Sequence, residues 1–311
     1  MKIFIIVVLL LILGGVVVTF LLSGVLYTVL LVRTGKNKWA RRCSMPSDPE
    51  QVDIYDRGWK WHETYGDCAK PVEIRNDGLK LVGEYYDFGC DRAVIIAVGR
   101  TETLLYSYYY AEPYRALGFN VLVYDNRAHG LSEGILCRVG VKECGDILAW
   151  ARLLHDEYGN KRIHLHGLCI GSASCLYALT RDDCPDYVET MVADGMFATF
   201  GDSYRLHITG RGHSLFPIYY ESLVYIRLIS RINITGDGPL YRIGKLKKPI
   251  LFIHSRQDQF SAPEKLTEIY EACNAPKTLE WFEKGGHSRV RINNTAKYDL
   301  TIANFIKEKY T

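Results

Sequence analysis

One uncharged and strongly apolar stretch near the start of the chain limits what this sequence can become. Residues 3–32 contain neither an acid nor a base, a run of 30 residues. About 20 apolar residues are enough to cross the core of a bilayer, whereas a cleaved signal peptide has an apolar core of about 7–15 residues and a small-residue cleavage site. We therefore expect an uncleaved transmembrane helix over about residues 3–32, followed by a basic juxtamembrane segment to residue 42.

The charges around this stretch indicate its orientation and exclude one class of partner. Only Lys2 precedes it, and five bases follow it without an acid: Arg33, Lys36, Lys38, Arg41 and Arg42. Because flanks rich in Lys and Arg remain in the cytoplasm, we expect a single-pass membrane protein with a cytoplasmic globular part. Of the 38 bases, 32 remain outside this region and face 35 acids. The globular part thus lacks the basic face that nucleic-acid binding requires.

A stripe of small residues recurs every fourth position within the apolar stretch, at Gly15, Thr19 and Ser23. Such a stripe lets two membrane helices approach closely, which would produce a weak homodimer. The other interpretation is a coincidence within an apolar helix. The sequence leaves both open.

The globular part, residues 43–311, has the length of one large α/β domain. Residues 43–70 show no regular pattern, and Asn76-Asp77-Gly78 then separates two strand-like runs, as in a hairpin. Further strands are predicted at 92–98, 119–124, 162–165, 188–193, 249–254 and 277–282, and helices at 108–117, 141–158, 172–180, 264–273 and 296–309. This alternation predicts a mostly parallel central sheet wrapped by helices. Residues 197–243 are too long for a simple crossover, and we interpret them as a helical lid insertion.

The strongest candidate for a reactive residue follows the strand at 162–165. There the sequence RIHLHGLCIG contains G-x-C-x-G, with Cys169 at its centre, and a predicted helix follows. A strand, a tight turn and a helix in this order form a nucleophile elbow. The helix N-terminus would favour the thiolate of Cys169, and the Ile170 amide would point toward a developing oxyanion. The alternative is a buried cysteine in a tight turn.

A second string, Gly130 to Gly134, matches G-x-S-x-G literally, with Ser132 at its centre. It follows the strand at 119–124 only after five intervening residues, and no helix is evident after it. Because the strand–turn–helix context is missing, we expect Ser132 to be structural.

Partners for Cys169 come later in the chain. Asp258 follows the strand at 249–254, and His287 lies in a glycine-rich loop after the run at 277–282. The order nucleophile, acid, histidine is the one that a hydrolase triad of this fold requires. Asp194, at the end of the strand at 188–193, is the reserve candidate for the acid. A surface histidine in a flexible loop is the alternative for His287.

A second oxyanion donor is expected in the loop after the strand at 92–98. The amide of Arg100 or Thr101 would serve this role, as loops at this position do in nucleophile-elbow enzymes. An ordinary loop at the end of a strand is an equally good interpretation.

These motifs together resemble the α/β-hydrolase superfamily, and within it the bacterial membrane-anchored group described as serine aminopeptidase-like or Bem46-like. The resemblance covers residues 59–309 and is carried by VYDNRAHGLSEG (123–134), HLHGLCIGSAS (164–174), VADGMF (192–197), PILFIHSRQDQFSAP (249–263) and GGHS (285–288). It implies acyl-transfer chemistry without a metal or an organic cofactor. Members of the group usually have serine in place of Cys169 and histidine in place of Val98. Dienelactone hydrolases resemble the Cys, Asp, His arrangement, and polyhydroxyalkanoate synthases also have a cysteine elbow.

We therefore expect a membrane-tethered acyl hydrolase with a small-molecule acyl substrate. Cys169 would attack a small ester, thioester or lactone, and water activated by His287 would cleave the resulting thioester. Two other functions remain open at this point. One is an acyltransferase, which differs only in excluding water from the pocket. The other is a hydrolase that has lost catalysis and acts as a binding protein.

Overall fold

The computed structural model describes residues 1–310, and its first element is a long helix, α1 (Lys2–Leu31). Within residues 1–310, α1 is the one helix that is long and apolar enough to cross a membrane. Its most apolar window is entirely unburied. Length and composition by themselves also fit a signal sequence near the N-terminus.

The centre of the protein is one eight-stranded sheet with the strand order β1-β2-β4-β3-β5-β6-β7-β8. Its first two strands form the predicted antiparallel hairpin, and every pair from β3 onward is parallel. The strands are β1 (Ala69–Asn76), β2 (Leu79–Tyr86), β3 (Arg92–Ala97), β4 (Asn120–Tyr124), β5 (Arg162–Leu168), β6 (Val188–Asp194), β7 (Ile250–Ser255) and β8 (Lys277–Phe282). The predicted α/β-hydrolase fold is confirmed.

Helices cover both faces of the sheet. The sheet separates two clusters of buried side chains, one on each face. They are α2 (Pro49–Tyr65), α3 (Leu104–Ser107), α4 (Glu112–Ala116), α5 (Glu143–Asp156), α6 (Ile170–Leu179), α7 (Phe200–Thr209), α8 (Ile218–Tyr225), α9 (Pro239–Arg242), α10 (Pro263–Ala272), α11 (Val290–Asn293) and α12 (Thr295–Tyr310). One face carries α5 and α6, and the other carries α2 and α12. Burial on both faces explains why β3 to β7 are continuous apolar runs.

The expectation of an irregular segment at 43–70 is wrong, because α2 occupies most of it. Asp48 caps this helix by accepting hydrogen bonds from the amides of Glu50 (3.0 Å) and Gln51 (3.4 Å), and Pro49 takes the first helical position. An aspartate followed by proline is a helix start. Trp61 lies on the buried side of α2.

The end of α1 packs into the globular core. Tyr27, Leu30 and Leu31 are buried in the core cluster, and Val32 forms an antiparallel bridge with Leu136. Contacts of the globular core therefore extend across residue 42 into the last turns of α1.

The basic residues after α1 are used in the same way. Lys38 Nζ donates to the carbonyl oxygens of Thr28 and Val29 (both 2.8 Å) at the end of α1. Arg41 Nε donates to the buried Asp125 carboxylate at 2.8 Å. These cations satisfy helix-terminal carbonyls and a buried acid, so they have structural roles beyond any effect on membrane orientation.

The insertion at 197–243 is helical, as expected, and it lies between β6 and β7. It contains α7, α8, a short π-helical turn at Ile226–Ser230 and α9. Its contact with α1 is direct: Thr19 and Ser23 each donate a 2.8 Å hydrogen bond to the Glu221 carboxylate on α8. The small-residue stripe of α1 thus contacts the lid insertion of its own chain, and these two hydroxyls are not available for pairing two copies.

Candidate active site

Cys169 occupies a strained turn between β5 and α6. Its backbone has φ 55° and ψ −116°, a conformation that residues with a side chain rarely adopt. The amide of Cys169 donates to the carbonyl oxygen of Asp194 at 2.9 Å, and the Ser172 amide donates back to the carbonyl oxygen of Cys169 at 3.0 Å. These bonds hold the turn, so the half-buried thiol lies where β5 ends.

The two glycines of the G-x-C-x-G string are required by close backbone contacts. A Cβ on Gly171 would lie 1.9 Å from the carbonyl oxygen of Ala97, and one on Gly167 would lie 2.4 Å from the amide nitrogen of Ser172. No side chain fits at either distance, so α6 packs directly on β3 and on the end of β5. The motif is therefore a packing requirement as well as a sequence signature.

Asp258 and His287 meet as the sequence predicts, although they are 29 positions apart. His287 Nδ1 lies 2.8 Å from Asp258 Oδ2, and both side chains are largely buried. The other oxygen, Oδ1, accepts from the amides of Phe260 (2.8 Å) and Ser261 (2.7 Å). Burial raises the pKa of Asp258, but His287 and these amides outweigh it and the pKa is lowered. The carboxylate is thus held in its charged form beside the imidazole.

The other nitrogen of His287 faces the cysteine. Burial lowers the pKa of His287, but Asp258 and then Cys169 outweigh that effect and raise the pKa well above its usual value. Nε2 is buried and has no partner of standard hydrogen-bond geometry among residues 1–310. The Cys169 thiol therefore acts on His287 electrostatically, and no hydrogen bond of standard geometry joins the two side chains. Such bonds are often long in unliganded active sites.

The loop that holds one predicted oxyanion donor passes close to the nucleophile. A Cβ on Gly99 would be 3.5 Å from Cys169 Cβ and 4.0 Å from Sγ. Arg100 follows Gly99 and Ile170 follows Cys169 in the chain. The amides of Arg100 and Ile170 donate to no other residue within the described part of the chain.

The side chain of Arg100 has a contact that sequence reasoning missed. Its Nη1 donates to the carbonyl oxygen of Leu30 at 3.0 Å, and its own carbonyl oxygen contacts Nε2 of His129. The His129 ring stacks on Trp39 with centroids 4.4 Å apart. The predicted oxyanion loop is therefore attached to the end of α1. No local sequence signal marks this contact, because the residues involved are far apart in the chain.

Comparisons with known proteins identify the family. A family model described as the alpha/beta hydrolase fold matches residues 92–207. YqkD, an uncharacterized protein of Bacillus subtilis (strain 168), is 32% identical over 217 residues, which cover 68% of this chain and 70% of YqkD. The chain belongs to the α/β-hydrolase family.

Solved structures of other α/β hydrolases are similar to it. An esterase from Pyrococcus furiosus superposes with a TM-score of 0.66 at 25% identity, over 79% of this chain and 93% of the esterase. Alpha/beta hydrolase domain-containing protein 10 from mouse superposes with a TM-score of 0.56 at 17% identity, over 77% of this chain and 99% of the mouse chain, and shows the common fold alone. The esterase and the family model support hydrolase activity of the esterase type.

Asp194, the reserve acid, lies behind the site and does not contact the ring nitrogens of His287. Its Oδ2 accepts from the Tyr298 hydroxyl at 2.7 Å, and Oδ1 is buried without a hydrogen-bond partner within residues 1–310. Burial raises the pKa of Asp194 to about 7. Asp258 is therefore the carboxylate beside His287 Nδ1. Asp194 is a buried carboxyl that pairs with Tyr298 instead.

Ser132 is used in backbone hydrogen bonds. Its hydroxyl donates to the carbonyl oxygen of Asp125 (2.7 Å) and accepts from the Val82 amide (3.0 Å), and the residue is buried. As donor and as acceptor, the hydroxyl is therefore bonded to backbone atoms, and it connects β2 to the turn after β4.

A cavity of about 330 Å³ lies between the lid insertion and the loop after β7, and its lining includes neither Cys169 nor His287. Its apolar lining includes Phe197, Leu206, Leu215 and Phe260, and its charged lining residues are Asp202, Arg205 and Lys265. The ring of Phe260 contacts His287 edge-on at 5.6 Å between centroids. Phe260 was missed from sequence, although its position two residues after Asp258 was a usable signal.

Proposed function

We propose that this protein is a membrane-tethered acyl hydrolase that uses Cys169, His287 and Asp258 to cleave a small ester, thioester or lactone. The observation that carries the proposal is the environment of His287. Its Nδ1 is 2.8 Å from Asp258, while the Cys169 thiol acts on the same buried ring. A strained nucleophile, a base and an acid that fixes the base are the three parts of a triad.

The first half of the reaction forms a thioester. His287 Nε2 takes the proton of the Cys169 thiol, and Sγ bonds to the carbonyl carbon of the substrate. The amides of Ile170 and Arg100 stabilise the oxyanion that develops. The bond from the carbonyl carbon to the leaving oxygen or sulfur then breaks, and that atom receives the proton from the imidazolium.

The second half releases the acid. His287 removes a proton from water, and the hydroxide adds to the thioester carbonyl. The bond between carbon and Sγ breaks, and Sγ recovers the proton from His287. Throughout, the Asp258 carboxylate stabilises the imidazolium and holds the ring orientation.

The lining of the cavity supports an acyl substrate with an apolar part. Phe197, Leu206 and Phe260 offer apolar contact, and the volume of about 330 Å³ is in the range of small-ligand sites. A thiolate attacks activated carbonyls well and is a good leaving group, which favours esters, thioesters and lactones over stable amides.

The tether in this proposal is α1, with the hydrolase domain in the cytoplasm. The length of α1 supports a membrane span. Its firm attachment to the core through Leu31 favours retention over cleavage as a signal sequence, because cleavage would remove buried residues. The basic flank favours the cytoplasmic orientation.

The test compares the parent full chain in membranes with Cys169→Ala and with the matched control Cys90→Ala, a half-buried cysteine in the loop between β2 and β3. Short-chain esters, thioesters and lactones are assayed while the intact mass of the protein is recorded. We expect turnover and an acyl-sized mass increase in the parent and in Cys90→Ala, and neither in Cys169→Ala. Equal turnover in all three proteins would overturn the assignment of Cys169. Turnover in none of them would favour a binding role.

A further inference from the structure

The lid helix α8 packs against the C-terminal half of α1. Glu221 of α8 accepts from Thr19 and Ser23 (both 2.8 Å). One turn further along α8, the Tyr225 hydroxyl donates to the carbonyl oxygen of Phe20 at 3.1 Å, with the two rings 4.7 Å apart. Polar and aromatic contacts therefore hold α8 against α1 over about one turn of each helix.

The position of this contact along α1 gives the depth of α8. A bilayer core of about 30 Å corresponds to about 20 helical residues at 1.5 Å each. The uncharged run continues to residue 32, but the buried residues of α1 begin at Ser23. Residues 3–22 are therefore the part of α1 that acyl chains can surround, and large apolar side chains in this span are exposed. Thr19 and Ser23 then lie at the boundary between acyl chains and headgroups. Since α8 is hydrogen-bonded to both of them, it lies at the same boundary.

The side of α8 next to its α1 contact presents an exposed apolar stripe. Tyr220 and Val224 on α8 and Leu228 in the π-helical turn that follows it recur every fourth residue and are 54%, 43% and 70% exposed. Phe216, just before the helix, is 76% exposed. Residues four apart share one side of a helix. The stripe is offset by one residue, about 100°, from Glu221 and Tyr225. It therefore continues the exposed apolar surface of α1.

Exposed cations border this stripe. Arg227 and Arg231 follow α8, both are exposed, and neither forms an ion pair within residues 1–310. An apolar groove of about 390 Å³ lies beside them, lined by Leu223, Val224, Leu228 and Ile232 among others. Apolar side chains next to unpaired cations are the composition of helices that lie in an anionic membrane surface.

From this arrangement, and resting on the proposed function for the substrate, we propose that the apolar stripe along α8 (Phe216, Tyr220, Val224 and Leu228) inserts into the same bilayer as α1, and that the substrate is an amphiphilic acyl ester or thioester that partitions into the bilayer. Such a molecule enters beside the lid insertion without crossing water. The bilayer is the occupant that the surface fits, because the stripe is continuous with α1 and its bordering arginines match anionic headgroups.

Insertion is tested on the full chain reconstituted in vesicles of phosphatidylcholine and phosphatidylglycerol whose acyl chains are brominated at positions from the glycerol end to the methyl end. Bromine quenches nearby tryptophan fluorescence. Leu228→Trp places a reporter on the stripe, Ile12→Trp is the reference within α1, and Leu300→Trp is the matched control on α12, where the residue is 58% exposed. The five native tryptophans give a background common to all variants.

We expect the quenching gained by Leu228→Trp to be at least twofold larger than that gained by Leu300→Trp, and comparable with that of Ile12→Trp. Equal quenching at positions 228 and 300 would overturn the proposal. Quenching at neither position together with a cross-linked dimer through position 228 would also overturn it and would assign the stripe to a second copy. Far-ultraviolet circular dichroism verifies that each variant is folded.

A second experiment addresses the substrate. The double variant Val224→Glu/Leu228→Glu and the control Leu300→Glu are compared on an amphiphilic acyl ester held in vesicles and on a soluble short-chain thioester. We expect at least a tenfold loss for the double variant on the vesicle substrate and no change on the soluble one. An equal loss on both would overturn membrane access. Absence of turnover by the parent would instead contradict the proposed function, while the quenching result still decides insertion.

Discussion

Arg100 Nη1 donates a 3.0 Å hydrogen bond to the carbonyl oxygen of Leu30, which joins the loop beside the nucleophile to the last turn of α1. Arg100 is half-buried, and burial lowers the pKa of Arg100, with part of the effect offset by the cysteines nearby. A half-buried cation that donates to a helix-terminal carbonyl connects the two segments. The position of the loop thus depends on α1 as well as on the sheet.

The first prediction concerns this bond. Arg100→Ala keeps the backbone amide but releases the loop from α1, so we expect kcat to fall about tenfold, equivalent to about 1.4 kcal/mol, with KM little changed. Lys36→Ala, an exposed cation in the same flank, is the matched control and should behave as the parent. The measurement is steady-state kinetics on a soluble thioester. A parent-like kcat for Arg100→Ala would show that the contact between Arg100 and α1 does not affect catalysis.

The second prediction tests whether the nucleophile is Cys169 in G-x-C-x-G or Ser132 in G-x-S-x-G. Ser132→Ala removes both hydrogen bonds of a buried hydroxyl, which we expect to cost about 1–3 kcal/mol of unfolding free energy. Turnover per folded molecule should remain at the parental level. Denaturant titration measures the free energy of unfolding. Active-site titration of the same sample, together with the reaction rate, measures turnover per folded molecule. A folded Ser132→Ala protein without turnover would reassign the nucleophile.

The third prediction concerns the elbow glycine. Gly171→Ala places a Cβ 1.9 Å from the Ala97 carbonyl oxygen, so we expect a loss of roughly 3 kcal/mol or more. Gly145→Ala in α5 is the control, since the nearest atom to its Cβ would be 3.4 Å away. That change should stabilise the helix by about 0.5–1 kcal/mol. Thermal unfolding measures both; equal midpoints for the two variants would contradict the close contact.

The fourth prediction is a pH dependence. Burial raises the pKa of Asp194 from 3.8 to about 7, so its protonated form is favoured in the folded state. The stability it contributes is complete below about pH 4 and is lost as the pH rises to about 7. Because the shift is about three pKa units for a fully buried group, the loss is on the order of 4 kcal/mol.

Asp194→Asn keeps an acceptor for Tyr298 but does not titrate. Its stability relative to the parent should therefore rise between pH 4 and pH 7 and then stay constant, as measured by urea unfolding at several pH values. A constant difference across this range would show that Asp194 does not hold a proton. Its activity should persist, whereas Asp258→Asn should lose turnover, since Asp258 is the carboxylate beside His287.

The fifth prediction tests where the globular part begins. Removing residues 1–22 deletes mostly exposed side chains and should yield a folded protein. Removing residues 1–42 also deletes buried Leu31 and Trp39 and the Arg41–Asp125 ion pair, and we expect a further loss of at least about 5 kcal/mol. Urea unfolding compares the two forms. Equal unfolding free energies for the two forms would show that residues 23–42 do not stabilise the globular part, as a domain boundary at residue 42 predicts.

Local sequence was sufficient for the elements of the sheet and for the strand-to-helix turn at Cys169. The reason is that continuous apolar runs, a glycine on each side of a turn and the order of polar residues after strands are properties of neighbouring positions. The hairpin at Asn76-Asp77-Gly78 was predicted for the same reason. α2 was missed because the charged residues of this helix concealed a buried side formed by Gln51, Tyr55 and Trp61.

By itself, the sequence determined the fold class, the apolar helix and the residues that could meet as Cys169, Asp258 and His287. Only the tertiary structure decided that Asp258 and not Asp194 lies beside the histidine, that Arg100 is attached to Leu30, and that Glu221 binds α1. The physical reason is distance along the chain. A pairing between side chains separated by tens to hundreds of positions depends on sheet order and helix packing, and neither is encoded in a local pattern.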